Sequence, residues 1–212
     1  LQVGIDWRSA GIEHAREVRD LLGGDYYVDY ADDNASDGKR VELGDIIAYH
    51  NETTVDWLGG FLQGSYSSGP LSAYGMGGVS SIAYTYQDHF TVADEVIDAD
   101  AIITTQFKGG AMYDIADNIS VFGNFGIVEK PPIMDNVIYF DGTVASDPAN
   151  ERFISTEAGV NYSAGNVAVK VSAYSTDWKD RNLTKSVIGG QGSSGDTDVI
   201  FLTGINQRHQ GV

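Results

Sequence analysis

Apolar and polar residues alternate with a period of two along most of the chain, most clearly from Phe153 to Trp178. After the turn Ser163-Ala164-Gly165-Asn166, one face of the second arm carries Val167, Val169, Val171 and Ala173, and the other carries Ala168, Lys170, Ser172 and Tyr174. Alternation of this kind is typical of a β-strand with two unlike faces. A short turn of small residues is typical of a hairpin connection. The segment is therefore predicted to be an antiparallel hairpin.

Further alternating segments bring the number of predicted strands to about eight. Besides the two arms of the hairpin, they cover residues 1–7, 41–66, 71–86, 101–113, 119–128 and 199–212. The segment Glu13 to Leu22 fits two structures equally well. Its apolar residues have helical spacing before Gly23-Gly24, which predicts a short helix, and a continuation of the first strand is the alternative.

The predicted connections differ in length at the two ends of the strands. Tight turns at 67–70, 114–118 and 163–166 alternate with longer connections at 25–38, 87–100, 129–152 and 179–198. Of the 30 Asp and Glu residues, only Asp114 and Asp117 fall in the tight turns. Transmembrane β-barrels have short turns on one side and long extracellular loops on the other. The pattern predicts an all-β, antiparallel up-and-down meander of about eight strands, part of a large transmembrane β-barrel.

Two other all-β architectures fit the alternation. A soluble, secreted β-sandwich that binds carbohydrate or acts as an adhesin would bury the apolar faces against a second sheet about 10 Å away. A small self-closed barrel of eight strands would pair its first strand with its last. Of the three, only the large barrel leaves an apolar belt facing lipid.

Composition narrows the function. The formal net charge of −17 argues against nucleic acid as a partner, which requires a basic surface. The absence of cysteine excludes a disulfide-stapled module and thiolate chemistry. No run of 18 apolar residues predicts a transmembrane helix. The chain starts and ends inside alternating segments, so it is expected to be an internal piece of a longer protein.

The motifs give no support for catalysis. Gly190 to Gly195 matches GxGxxG, but a strand rather than a helix is predicted after it, so a loop tip is favoured over a dinucleotide site. The four histidines lack zinc-ligand spacing. The pairs Asp32-Asp33 and Asp196/Asp198 lack a complete calcium-loop pattern and are interpreted as solvated charge. No catalytic residue, cofactor or metal site is predicted.

Candidate binding residues come from the long-loop side and from the polar faces of the strands. Aromatic and basic residues near the long loops are candidates for ligand contact, namely Tyr26, Tyr27, Tyr30, Trp178 and Arg181. In a barrel, the charged residues in mid-strand on the polar face would point into the lumen, and these are Lys108, Glu157 and Lys170.

One stretch resembles a known family. Asp117 to Asn136, DNISVFGNFGIVEKPPIMDN, is similar to the late barrel of TonB-dependent outer-membrane receptors, where a strand of the type FxNFGxxxKPPxxDN leads into an extracellular loop. Four more pieces agree in order: RDLLGGDYY at 19–27, YSTDWKDR at 174–181, DVIFL at 198–202 and GINQRHQGV at 204–212.

The resemblance implies a barrel of about 22 strands closed by an N-terminal plug. Residues 1–212 would form a partial barrel domain, without the plug, the TonB box or the closing C-terminal strand. Such a receptor sits in the bacterial outer membrane. It binds a scarce small molecule, such as an iron chelate, at its extracellular loops and imports it into the periplasm. Its partners would be outer-membrane lipid, that ligand and the TonB energy-coupling complex, reached through the plug.

Overall fold

A computed structural model describes residues 1–91, 95–139, 141–188 and 197–212, and all of their side chains except those of 184–188 and 197–201. Its strands are β1 (Gln2–Glu17), β2 (Tyr27–Asp29), β3 (Lys39–Val41), β4 (Ile46–Ser68), β5 (Leu71–Asp88), β6 (Val96–Asp98), β7 (Ile102–Ala116), β8 (Ile119–Lys130), β9 (Glu151–Ala164), β10 (Val167–Ile188) and β11 (Thr197–Gly211). A short 3₁₀ turn, Met134–Asn136, lies between β8 and β9.

The eight long strands form one antiparallel sheet in the order β1-β4-β5-β7-β8-β9-β10-β11, with β6 added beside β5. This order confirms the predicted meander. Within the described residues the other sheet is the two-stranded β2–β3 pair, so no second large layer covers the sheet as a sandwich requires. Strands β1 and β11 lie at opposite ends of the order, which contradicts a self-closed barrel of eight strands.

The tight turns connect the strands at one end, as predicted. Each has two residues between the paired strands: Gly69-Pro70, Asp117-Asn118 and Gly165-Asn166. Gly69 and Gly165 have positive φ angles of 56° and 57°, a conformation that glycine adopts without steric cost. The prediction of short turns at one end and longer connections at the other is confirmed.

Several strands continue beyond their predicted bounds at the long-loop end. The loop predicted at 179–198 is wrong at both ends, because β10 extends to Ile188 and β11 begins at Thr197. The helix considered for Glu13 to Leu22 is also wrong, because β1 stays paired with β4 as far as Glu17 opposite Ile46. Both extensions are paired through the backbone, which does not require an alternating side-chain pattern.

One face of the sheet carries an exposed apolar belt. Cross-strand neighbours share a face, and the register places on this face Val3, Ile5, Trp7, Leu58, Leu62, Val79, Phe107, Phe125, Val160, Val167, Val169 and Val171. Their exposure runs from 41% at Phe125 to 83% at Ile5. A continuous apolar surface of this extent marks contact with lipid or another protein.

The height of the belt matches a bilayer. On β4, Tyr66 near the turn end and Asp56 near the loop end bound the belt, ten positions apart, and Tyr162 and Arg152 bound it on β9. A strand that rises about 3.3 Å per residue and tilts about 40° climbs roughly 25 Å over ten residues. This is the height of the apolar band of outer-membrane barrels.

On the opposite face, a small core forms at the long-loop end. Ile82, Tyr84, Tyr86 and Ile102 of the sheet cluster with Val137 and Ile138 from the β8–β9 loop. The Tyr84 hydroxyl donates a hydrogen bond of 2.8 Å to the Pro132 carbonyl. The β8–β9 loop is therefore folded onto the face away from the belt. In the described part of the chain, no helix has the length and apolarity needed to cross a membrane.

Candidate ligand-binding site

A depression of about 450 Å³ lies on the face opposite the belt. It runs across β5, β7, β8, β9 and β10, and its lining combines aromatic, amide and charged side chains. The register explains the arrangement, since Asn124 is opposite Glu157 and Glu157 is opposite Tyr174. We call this depression the wall groove and define it by Tyr74, Lys108, Asn124, Phe153, Glu157 and Tyr174.

Hydrogen bonds connect the polar residues of the wall groove. The Tyr74 hydroxyl donates to Asn124 Oδ1 at 3.3 Å, and Asn124 Nδ2 donates to Glu157 Oε2 at 3.0 Å. Lys170 Nζ lies 3.9 Å from Glu157 Oε1 and 4.6 Å from the centroid of the Phe122 ring. These contacts fix the orientation of the Asn124 amide and the Glu157 carboxylate, while the Lys170 side chain stays 61% exposed.

Gly110 makes room for this network. A Cβ at residue 110 would touch Asn124 Oδ1, and it would lie 2.8 Å from the Tyr74 ring and 2.9 Å from the Gly123 carbonyl oxygen. Such contacts are too short for a real Cβ atom. The Gly123 carbonyl is part of the backbone, so it can move little to relieve them. The Tyr74–Asn124 pair therefore depends on glycine at this position.

A second cluster lies on the same face, closer to the long loops. Its centre is Glu151, whose side chain is 3% exposed. The carboxylate accepts hydrogen bonds from Trp178 Nε1 at 2.9 Å, from the Asn182 backbone N–H at 3.3 Å and from Lys130 Nζ at 3.3 Å. The burial of this carboxylate is therefore compensated by one cation and two further hydrogen-bond donors.

Trp178 and Arg181, both predicted ligand contacts, meet beside this carboxylate. The Arg181 guanidinium carbon lies 4.2 Å from the Trp178 ring centroid, and Arg181 Nη1 donates to Gln207 Oε1 at 2.9 Å. Phe153 packs against Trp178 with ring centroids 4.8 Å apart. Phe153 also lines the wall groove, so this cluster and the groove are continuous.

The three predicted tyrosines lie elsewhere, on the loop between β1 and β4. Tyr26, Tyr27 and Tyr30 are 51%, 54% and 70% exposed, and the Arg40 guanidinium carbon lies 4.2 Å from the Tyr26 ring centroid. In the sheet, β5, β7, β8 and β9 separate β4 from β10. The five predicted ligand contacts therefore form two groups, one on a loop and one on the sheet.

Asp88 is the last residue of β5, on the long-loop side of the belt, and its side chain stabilises the turn that follows. It is 7% exposed and accepts hydrogen bonds from the backbone N–H groups of Phe90 at 2.8 Å and Thr91 at 3.0 Å and from the Tyr86 hydroxyl at 3.1 Å. Burial alone would raise the pKa of the Asp88 carboxyl. The donors from Thr91, Phe90 and Tyr86 outweigh burial and keep that pKa below its ordinary value of 3.8.

The predicted lumen residues share one face. Lys108 is opposite Gly126 in the sheet, two positions along from the Asn124–Glu157 pair, and Lys170 is opposite Asn161, four positions from Tyr174. All three lie on the face away from the belt. In the sequence, the other residues of the wall groove could be found only from the alternation of polar residues with belt residues. Neighbouring glycines obscure this alternation around Tyr74.

Chain spacing did not reveal that two histidines are neighbours in space. The rings of His50 and His89 are in contact, with centroids 4.3 Å apart and planes tilted by 37°. The GxGxxG segment at 190–195 and Asp196 lie outside the described residues, as does the side chain of Asp198. Asp32 Oδ1 accepts the Asn34 backbone N–H at 3.0 Å and so supports a local turn.

Comparison with protein families decides the identity of the chain. The family model described as TonB dependent receptor-like, beta-barrel matches residues 2–212. The chain belongs to this family. A comparison with curated proteins finds no match. The resemblance predicted from the sequence is confirmed, and the open eight-stranded meander is a section of a TonB-dependent receptor barrel. The family consists of outer-membrane transport receptors of bacteria, not of enzymes.

Proposed function

We propose that this chain forms part of the wall of an outer-membrane receptor that binds a scarce small molecule from its extracellular side and imports it into the periplasm. The observation that carries the proposal is the wall groove, which lies on the face opposite a bilayer-high apolar belt. With the belt in lipid, the groove and its extension to Trp178 face the lumen. Lys108, Glu157 and Lys170 are then lumen residues.

The side chains of this face suit an organic ligand rich in oxygen atoms. Tyr74 and Tyr174 offer ring faces and hydroxyl groups, and Lys108 and Arg181 offer cationic donors. Charged donors bind carboxylate and hydroxamate oxygens more strongly than neutral donors do. The net charge of −17 favours cargo whose own net charge is neutral or positive. An iron chelate whose oxygen ligands just neutralise the metal, such as a ferric hydroxamate, satisfies both requirements.

Import also requires release, and the spread of contacts along the wall permits it. The Trp178–Arg181 pair and the wall groove each offer a few contacts rather than one closed pocket. Ligand can exchange between such sites without a deep energy minimum. The energy for the step would come from the TonB complex of the inner membrane through a plug domain, and the lumen wall would supply the surface along which the ligand moves.

Uptake of a labelled ferric hydroxamate chelate into bacterial cells tests this proposal. Cells with the complete receptor should accumulate label above a receptor-deletion strain, and an uncoupler of the inner-membrane proton gradient should abolish the difference. A panel with a catecholate chelate and cobalamin identifies the cargo class. Equal uptake by both strains for every compound would overturn the proposal of import.

Wall variants locate the contacts. Trp178→Ala and Lys108→Ala should each lower uptake at limiting chelate by roughly tenfold, the effect of losing about 1.4 kcal/mol of binding. Tyr66→Ala, on the belt face, is the control and should leave uptake unchanged at equal amounts of assembled receptor. Equal effects of the wall and belt variants would contradict the assignment of the two faces.

A further inference from the structure

Two histidines and two glutamates converge at the long-loop ends of β1, β4 and β5. His50 Nε2 lies 2.9 Å from Glu13 Oε1, and His89 Nε2 lies 3.2 Å from Glu52 Oε1. His50, Glu52 and His89 each offer one possible ligand atom, and these three atoms lie within 4.8 Å of one another. The imidazole rings are about one-fifth exposed, whereas Glu13 and Glu52 are 61% and 54% exposed.

The backbone fixes this cluster. Glu13 is directly opposite Glu52 in the β1–β4 pair, and the His89 backbone N–H donates to the His50 carbonyl at 2.9 Å. The imidazoles therefore project from adjacent, paired segments. Two carboxylates directly opposite each other on neighbouring strands repel, and a cation between them removes that repulsion.

We propose that His50, Glu52 and His89 bind a divalent transition-metal ion of the zinc class, with Glu13 as the fourth ligand. Two imidazoles with carboxylates suit zinc, nickel or cobalt, whereas calcium and magnesium take oxygen ligands. A tetrahedral ion with bonds of about 2.0–2.1 Å separates its ligand atoms by roughly 3.3 Å. The separations among the His50, Glu52 and His89 ligand atoms, which are at most 4.8 Å, must then shorten by up to roughly 1.5 Å. Glu13, outside this set but with Oε1 2.9 Å from His50 Nε2, reaches the ion by rotation of its exposed side chain.

The site differs from the wall groove in place and in role. Glu52 and Glu13 share the face of the belt, and Glu52 lies four positions beyond Asp56, roughly 10 Å above the belt edge. The ion would sit on the outer surface of the barrel rather than in the lumen. There it would cross-link the ends of β1, β4 and the segment after β5.

Metal titration of the complete receptor in detergent tests the proposal. Zn²⁺ binding is measured by calorimetry, and Co²⁺ serves as a spectroscopic probe because its visible absorption reports tetrahedral coordination. His50→Asn and His89→Asn should each remove one bound equivalent or weaken its Kd by roughly 100-fold or more. His14→Asn and His209→Asn are matched controls and should bind as the unmodified receptor does.

Protection from chemical modification gives a second measurement that needs no variant. Zn²⁺ should protect His50 and His89, but not His14, from diethyl pyrocarbonate, as read by peptide mass spectrometry. The proposal is overturned if the His50→Asn/His89→Asn double variant binds Zn²⁺ with unchanged stoichiometry and Kd. It is also overturned if Zn²⁺ leaves the modification of both histidines unaltered. Neither result bears on chelate uptake, which depends on the opposite face.

Discussion

Placing arginine in the middle of the belt is the most direct test of which face meets lipid. Val171 lies on β10 and is 57% exposed, and Val160, its partner on β9, is 45% exposed. In a bilayer, Val171→Arg would bury a guanidinium in hydrocarbon. Ala168, three positions away, is exposed on the opposite face, so Ala168→Arg would place the same charge in the lumen.

The structure gives the depth of each position. The belt on β10 begins at Val167, just after the Gly165-Asn166 turn, and it ends near Asp177. With a climb of about 2.5 Å per residue, Val171 lies roughly 10 Å above Val167, close to the midplane of a 25 Å band. Val169 lies roughly 5 Å above Val167.

The expected costs follow from these depths. Arginine on the lipid face costs about 2–4 kcal/mol at the midplane and less toward the interfaces. Val171→Arg should therefore lower the stability of the membrane-inserted receptor by about 2–4 kcal/mol, which corresponds to roughly 30-fold to several hundred-fold in the folding equilibrium. Val169→Arg should cost roughly half as much, and Ala168→Arg less than about 1 kcal/mol.

Folding of the complete receptor into lipid vesicles at graded urea concentrations measures these differences. Unboiled samples on SDS gels separate the folded barrel from the unfolded chain and give a urea midpoint for each variant. The expected ranking of destabilisation is Val171→Arg, then Val169→Arg, then Ala168→Arg. Equal midpoints for the Val171 and Ala168 variants, or a larger loss at residue 168, would refute the lipid-facing assignment.

Three further predictions concern packing and charge. Gly110→Ala should destabilise the receptor by about 1–3 kcal/mol through overpacking, whereas Gly77→Ala, with open space around the added Cβ, should leave the urea midpoint unchanged. Glu151→Gln should cost about 1–3 kcal/mol and speed proteolytic cleavage beside Trp178; an unchanged cleavage rate would contradict the described network. Since the pKa of Asp88 is lowered, its carboxylate stabilises the following turn above the ordinary pKa, and the contribution is lost as pH falls through the lowered value. The protection factors for hydrogen exchange at residues 89–91, taken relative to the intrinsic rates at the same pH, should therefore fall in acid below about pH 4, and in Asp88→Asn they should be low at every pH.

The fold was predictable because the bilayer imposes a strict pattern on the sequence. Lipid on one side and a wet lumen on the other force alternation at Val167, Val169 and Val171, and the two-residue turns mark one end. Above the belt this constraint disappears. The continuation of β10 to Ile188 and of β1 to Glu17 depends on hydrogen bonding between strands, which leaves no period in the sequence.

The candidate site was less predictable, because it depends on which strands are neighbours. Trp178 and Arg181 are close in sequence, and their proximity to long loops was enough to single them out. The pairing of Tyr74 with Asn124, or of His50 with His89, requires the cross-strand register. A residue spacing of 39 or 50 positions carries no such information without the lengths of the intervening strands and turns.

The inward fold of the β8–β9 loop also determines what antibodies or phages meet on the cell surface. Val137 and Ile138 are 1% and 2% exposed, and the Tyr84 hydroxyl engages the Pro132 carbonyl. Residues 131–138, the first part of this loop, therefore present few of their side chains to the outside, since Ile133 alone among them is exposed. The β1–β4 loop, with Tyr30 70% exposed, offers the larger epitope and the better position for an inserted tag.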